Sequence, residues 1–229
     1  MKQSITSVVE AAIFYLKQLV LSVITIKPMA KYPDMGEWKT FQTIPMTLEE
    51  CKKRFHSKSN IGIVCGKVSG IIVLDLDKKE LLEQLFPDGP PKTPIAETAK
   101  GYHLYFKYES GVSNYHNFGG IIGFDIKSDG GYVVAPPSVH PTGFIYKWLD
   151  GHCIGEVPFA QLPSLVTEKL QFEKMPYEEL EKGGFSEGSR QAALVRLLGI
   201  WFKEMLILAI EPILEKAMTW NLSNAHEIT

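Results

Sequence analysis

Between Ile61 and Asp77 the chain reads IGIVCGKVSGIIVLDLD, and no other stretch constrains its fold so strongly. Two runs rich in Ile and Val flank GKVSG. β-Branched runs bounded by Gly and Ser predict strands, and the short link between them predicts a β-hairpin. Side chains on a strand alternate between its faces. Asp75 and Asp77 therefore share one face, and Ile72, Leu74 and Leu76 share the other. Two carboxylates side by side at the end of a buried strand repel each other. A divalent cation relieves that repulsion, and hard cations prefer carboxylate oxygens. The competing reading is a strand that ends in a solvated acidic turn.

The rest of the chain supplies elements to surround such a sheet. Residues 6–18 have apolar positions at Val8, Val9, Ala12, Ile13 and Leu16, which is helical spacing. LVLSVITI, residues 19–26, reads as a strand closed by Pro28. Thr47 followed by Glu50 is a capping-box signature for a short helix through Arg54. A helix over 79–86 precedes the breaker PDGPPKTP. AETAKGYHLYFKY then reads as a strand or hairpin, and IIGFDIKSDGGYVVAPP as two strands about the turn Ser128–Gly131. SVHPTGFIYKW predicts a hairpin turning at Pro141–Gly143. From about Pro158 the composition turns helical, with a break at Gly183–Gly184 and a start signal at Ser186 or Ser189. The chain thus divides into a mixed domain, 1–157, and a linker with a helical appendage, 158–229.

Composition narrows the function. The 229 residues allow one large domain or one domain and an appendage. Lys and Arg number 24 and Asp and Glu 26, a formal charge of −2. That excludes a protein held to nucleic acid by bulk charge, though a local basic patch stays open. The cysteines, Cys51, Cys65 and Cys153, are odd in number and have no C-x-x-C spacing, so neither a disulfide scaffold nor a structural zinc is expected. The apolar runs Leu19–Ile26 and Met205–Ile210 are far shorter than the ~20 residues that span a bilayer. A cytoplasmic protein with no membrane partner is expected.

Three further segments carry chemistry. In Ile121–Lys127 alternation places Asp125 and Lys127 on one face, an acid to complete a three-carboxylate site and a cation to meet a phosphate. Asp129 is the rival acid, but its Ser-Asp-Gly-Gly setting suits an Asp that hydrogen-bonds turn backbone. In Lys100–Phe106, His103, Tyr105 and Lys107 share a face, and Gly101 before them leaves room for a ligand. In Ala135–Pro141 two prolines fix the backbone that carries Ser138 and His140. The alternative there is a rigid connector.

Taken in order, these segments resemble the bifunctional primase–polymerase (prim-pol) domain of the archaeo-eukaryotic primase superfamily, over about residues 10–150. Lys31-x-Pro33 with Trp38-Lys39 is similar to its N-terminal K-x-P…W-K element. NIGIVCGKVSGIIVLDLD resembles the G-hairpin leading to its hydrophobic-D-x-D motif. Lys100–Phe106 resembles its small-x-His strand, and GFDIKSDGGYVVAPPSVHPTGFIYKW its third-acid strand with the P-P-S hairpin. SEGSRQAALVRLLG is similar to the opening of the helical segment that often follows such domains, with Gln191 where the family usually has Asn.

The resemblance implies an α+β fold, with an RRM-like mixed or antiparallel sheet flanked by helices and a helical C-terminal appendage. It implies that Asp75, Asp77 and Asp125 bind two divalent ions, Mg²⁺ or Mn²⁺. His103 would contact the triphosphate of the incoming nucleotide, with Gly101 leaving room and Lys127, Ser138 and His140 as weaker phosphate contacts. Arg190, near the helix that opens the appendage, is a candidate for holding an initiating nucleotide. The implied partners are dNTPs or NTPs and a single-stranded DNA template, in replication of a plasmid, phage or mobile element or in a defence system. The chain lacks a helicase P-loop, because Val68 follows Lys67 in GIVCGKV, so a helicase would sit on another chain or in a missing region. Two other classes share parts of the pattern: a metal-dependent nuclease or D-x-D glycosyltransferase, and a non-catalytic single-strand-binding module. Pyrophosphate release and Mn²⁺-dependent nucleotide binding separate them from a polymerase.

Overall fold

A computed structural model describes residues 7–185, 187–204 and 210–223. The chain forms two compact units, Met1–Leu162 and Pro163–Thr229.

In the first unit, Ser7 caps helix α1 (Val8–Lys17) by accepting from the Glu10 amide. The expected start at Thr6 lies outside the described residues. Strand β1 is Val23–Ile26, half of the apolar run predicted to be a strand. The other half is the helix exit, where the Leu19 and Leu21 amides close onto Phe14 and Tyr15 and Val20 takes a left-handed φ of 56°. The capping box at Thr47 and Glu50 is present and opens helix α2 (Leu48–Arg54).

The strands that follow are β2 (Asn60–Val64) and β3 (Ile71–Leu76), then helix α3 (Glu80–Leu85), β4 (Ile95–Glu97), β5 (Tyr102–Lys107), β6 (Phe124–Lys127), β7 (Tyr132–Ala135) and β8 (Lys147–Trp148). They form two antiparallel sheets, β1-β2-β7 and β6-β3-β5-β4-β8. The expected α+β class with an antiparallel core is what the chain adopts.

The expected hairpin across GKVSG does not form. Gly66 and Ile71 make one bridge, and then β2 and β3 part into different sheets. Both strands are buried along most of their length, and each takes hydrogen-bonding neighbours on both edges: β1 and β7 for β2, β5 and β6 for β3. The turn Ser128–Gly131 makes the same passage, from β6 in one sheet to β7 in the other. The two passages are clasped side by side. The Cys65 amide donates to the Gly131 carbonyl at 2.9 Å, and the Lys67 amide to Asp129 Oδ1 at 2.8 Å. A Cβ at Gly66, where φ is +91°, would meet Asp129 Oδ1 at 2.2 Å, so this clasp requires glycine.

The main core lies among α1, α2, the three-stranded sheet and one face of β3 and β5, with Tyr15, Ile24, Ile61, Ile63, Val73 and Tyr105 at its centre. Ile71, Val73 and Asp75 share a face of β3, so the same face changes from core to polar site toward its end. Residues 158–162 run with the first unit: Lys107 donates to the Ala160 carbonyl at 2.8 Å, and Ala160 to Thr93 Oγ1 at 3.1 Å.

The second unit is helical: α4 (Ser164–Lys174), α5 (Tyr177–Lys182), α6 (Glu187–Glu204) and α7 (Ile210–Ser223). Leu180, Ala193, Leu197, Trp201, Ala217 and Trp220 form its core. Gly183 ends α5 with φ 72°, at the predicted break. The start signal at Ser186 and most of the run Met205–Ile210 lie outside the described residues. No helix among the described residues is long and apolar enough to cross a membrane.

Candidate active site

Sheet register builds the site. Asp75 on β3 is the cross-strand partner of His103 on β5 and of Asp125 on β6, so three chemistry-bearing residues form one row across three strands. Asp77 follows just past the end of β3, where its amide donates to the Gly123 carbonyl at 2.7 Å. Asp75, Asp77, His103 and Lys127 all line a cavity of about 500 Å³. Lys31, Lys100, Trp38, Tyr132 and Tyr146 line it as well.

Like charges directly opposite each other on a sheet are destabilising. The site offsets Asp75 and Asp125 with polar partners of its own. His103 Nε2 lies 3.3 Å from Asp75 Oδ1, and Lys127 Nζ lies 2.8 Å from Asp125 Oδ2. Asp125 also accepts from the Asn117 amide at 3.0 Å and pairs with His116 Nδ1 at 2.9 Å. Burial works to raise the Asp75 carboxyl, but the charge and hydrogen bond of His103 and the charge of Lys127 outweigh it. The group titrates below its ordinary value. Burial likewise opposes ionisation of Asp125, and the bonds from Lys127, Asn117 and His116 prevail. For Lys127 burial is outweighed by the bond to Asp125 and the charges of Asp75, Asp125 and Asp77, which hold its ammonium above the ordinary lysine range. Burial and the charges of Asp75 and Asp77 push Tyr146 up to about 12. His103 is 7% exposed, and its other ring nitrogen, Nδ1, is buried with no hydrogen-bond partner among the described residues.

The remaining expected residues sit around this row in different ways. Gly101 adjoins the cavity-lining Lys100, but a Cβ there would meet the Leu76 carbonyl oxygen at 2.0 Å and the Lys78 amide at 2.9 Å. Its missing side chain leaves room for the backbone that carries Asp75 and Asp77. Ser138 is fully buried, and its hydroxyl accepts from the Ile61 amide at 2.8 Å and donates to the Ile61 carbonyl at 3.4 Å. That hydroxyl is engaged by β2. His140 packs beside Tyr146, with ring centroids 6.2 Å apart, and its Nδ1 meets Thr142 Oγ1 at 2.8 Å. Burial, then the charges of Lys31 and Lys100, hold it below the ordinary histidine value. Arg190 belongs to the second unit, half-buried in the first turn of α6.

Sequence reading gave no role to several residues that the fold brings here. Lys31 and Trp38 stood in a motif without a function, and Lys100, Asn114, Tyr132 and Tyr146 also line the cavity. Tyr132 links two of these, because its hydroxyl donates to the Lys31 carbonyl at 3.0 Å and its ring meets Trp38 edge-on at 5.1 Å. His116 and Asn117 reach Asp125 from an irregular segment whose sequence, SNYHNFGG, has no periodicity to flag it.

The donor set suits a hard divalent cation, because oxygen ligands from Asp75 and Asp77 face one cavity and Asp125 stands opposite Asp75. Among the described residues no three His, Cys, Asp or Glu side chains already converge as a ready metal cage. Asp125 is held instead by Lys127, His116 and Asn117.

Asp125 and Asp129 make opposite predictions. Asp129 accepts from the Lys67 amide and from the Tyr108 hydroxyl, the latter at 2.8 Å, whereas Asp125 stands directly opposite Asp75. Asp125→Asn is expected to remove nucleotide incorporation. Asp129→Asn is expected to keep it and to cost about 1–2 kcal/mol of stability through the weakened clasp. Incorporation assays and urea melts on both variants decide this; an essential Asp129 with a dispensable Asp125 reverses the assignment.

Carboxylates and lysines lining one cavity suit the handling of phosphate esters, since acids suit hard cations and lysines suit phosphate oxygens. The particular family follows from comparison. The chain matches the family model of the bifunctional DNA primase/polymerase, N-terminal domain, over residues 12–165, and it belongs to that family. Comparison with curated proteins gives no match. Membership makes this a DNA primase/polymerase domain of nucleotidyltransferase kind, with a DNA template and nucleotides as the substrates the family implies. Enzymes of the family generally use divalent metals.

Proposed function

We propose that the chain is a template-dependent primase and polymerase that joins dNTPs or NTPs on single-stranded DNA with release of pyrophosphate. The observation that carries this reading is the cross-strand row His103–Asp75–Asp125, of which His103 and Asp75 line, with Asp77, a cavity that Lys31, Lys100 and Lys127 also line. Asp75, Asp77 and Asp125 would hold two divalent ions, whose chemistry would be charge stabilisation of the attacking and leaving oxygens.

The chain's own residues do the rest. Lys31 and Lys100 hold the β- and γ-phosphates by charge-assisted hydrogen bonds. His103 fixes the Asp75 carboxylate through Nε2 and lines the same cavity. Trp38 and Tyr132 offer an aromatic wall for the base or sugar, where stacking orients without reading sequence. Arg190 remains the candidate for an initiating nucleotide, at a helix N-terminus that favours phosphate. A helicase partner has no support beyond the missing P-loop. The test is primer synthesis on a single-stranded template with labelled dNTPs or NTPs and Mg²⁺ or Mn²⁺. Metal-dependent primers with pyrophosphate support the reading; template cleavage, or nucleotide binding with no product, overturns it.

His103→Ala is expected to weaken nucleotide binding about tenfold or more and to leave the Kd for single-stranded DNA within about twofold, since the ring faces the nucleotide cavity. Fluorescence titrations with each ligand measure the two. Equal losses would make His103 a structural residue.

A further inference from the structure

Lys127 occupies an unusual position for a phosphate-binding lysine. It leaves β6 on the same face as Asp125, two residues earlier, and its Nζ is 2.8 Å from Asp125 Oδ2. Its side chain is 28% exposed and that of Asp125 8%. Its charge also acts on Asp75 and Asp77, so one ammonium serves three carboxylates. His116 and the Asn117 amide are also on Asp125, so a cation that binds at Oδ2 competes with the Lys127 ammonium already there. At the same time Lys127 lines the cavity that Lys31 and Lys100 line.

We propose that Lys127 is an exchangeable counter-ion that couples divalent-cation binding to polyphosphate binding. The inference rests on the reading of the acids as a cation site. Without a divalent ion, Lys127 neutralises Asp125 and its neighbours and keeps the buried acids compatible with the fold. A cation that takes Asp125 displaces the ammonium, because both need the same oxygen. The released ammonium turns to the cavity that Lys127 already lines with the other two lysines, where it adds a third positive charge for a polyphosphate. Each cation bound thus changes the charge of the phosphate subsite as well as that of the acids. Lys127 acts as a positioning residue through Asp125, and touches the phosphate only after exchange.

The test uses the full chain and Mn²⁺ as probe, read by electron paramagnetic resonance of free Mn²⁺ with no nucleotide present. Lys127→Met keeps the side-chain length and removes the competitor. It is expected to bind Mn²⁺ about tenfold tighter than wild type, since an opposite charge at this range shifts a carboxylate's equilibria by 1–3 log units. Lys127→Arg keeps the charge and is expected to stay near wild type. The factor by which Mn²⁺ tightens binding of a non-hydrolysable nucleoside triphosphate is expected to fall in Lys127→Met. Equal or weaker Mn²⁺ binding by that variant overturns the proposal. In case Lys127→Met does not fold, the wild type gives a second reading: acetylation of Lys127, followed by mass spectrometry, is expected to rise several-fold on adding Mn²⁺ as the ammonium leaves Asp125. Unchanged or reduced labelling overturns the proposal as well. Absence of any Mn²⁺ binding by the wild type is a different failure, and it sinks the cation-site reading itself.

Discussion

Asp75→Asn and Asp77→Asn are each expected to lower nucleotide incorporation by more than ~10³-fold while the fold survives. Asn keeps the size and one carbonyl oxygen of Asp and removes the charge. At position 75 the loss falls at the middle of the row, between His103 at 3.3 Å and the facing Asp125. At position 77 the backbone anchor to Gly123 is untouched, because it is made by the amide. At Asp75 the lost attraction of His103 and Lys127 is partly offset by less repulsion from Asp125, and Asn keeps the packing, so both variants are expected to fold. What is lost is charge stabilisation where charge develops in the transition state, worth several kcal/mol, and each 1.36 kcal/mol is a factor of ten in rate. Circular dichroism establishes the fold and single-turnover extension measures the loss. Near-normal extension by either folded variant would remove the acids from the mechanism.

Gly101→Ala is expected to lower Tm by roughly 5–10 °C with no nucleotide present, from overpacking of about 1–3 kcal/mol or somewhat more. The added Cβ would stand 2.0 Å from the Leu76 carbonyl oxygen. That atom is backbone, so it cannot rotate away like the end of a long side chain. Relief has to come from shifting β5 or the end of β3, and either shift displaces the residues that carry Asp75, Asp77 and His103. Activity is therefore expected to fall together with stability. A glycine that served only to admit the nucleotide would behave differently: Ala would leave Tm unchanged and weaken nucleotide binding alone. Thermal melts with and without nucleotide distinguish the two, and an unchanged Tm refutes the close-approach account.

The sequence by itself determined whatever depends on neighbours along the chain. Alternation on β3 placed Asp75 with Asp77, and alternation on β6 placed Asp125 with Lys127. The Thr47–Glu50 box opened α2 as its side-chain chemistry requires, and the order of the acidic and histidine strands pointed to the family that the comparison then gave. Tertiary structure alone decided the pairings. An apolar strand states that it is buried but not which strand it will hydrogen-bond, because backbone donors and acceptors carry no label. IGIV and IIVLDL therefore read as a hairpin, yet each lies between other partners in its own sheet. Register across three strands, not spacing, set His103, Asp75 and Asp125 in one row. Lys31, Lys100 and His116 joined them from loops with no periodic signal. The same long-range pairing fixed the fate of the Ser138 hydroxyl, which the backbone of Ile61 claims, and of Gly101, whose vacant side faces the chain's own carbonyl. Local rules fix which way a side chain points from its strand; what stands opposite is fixed when distant strands meet and their buried polar groups must all find partners.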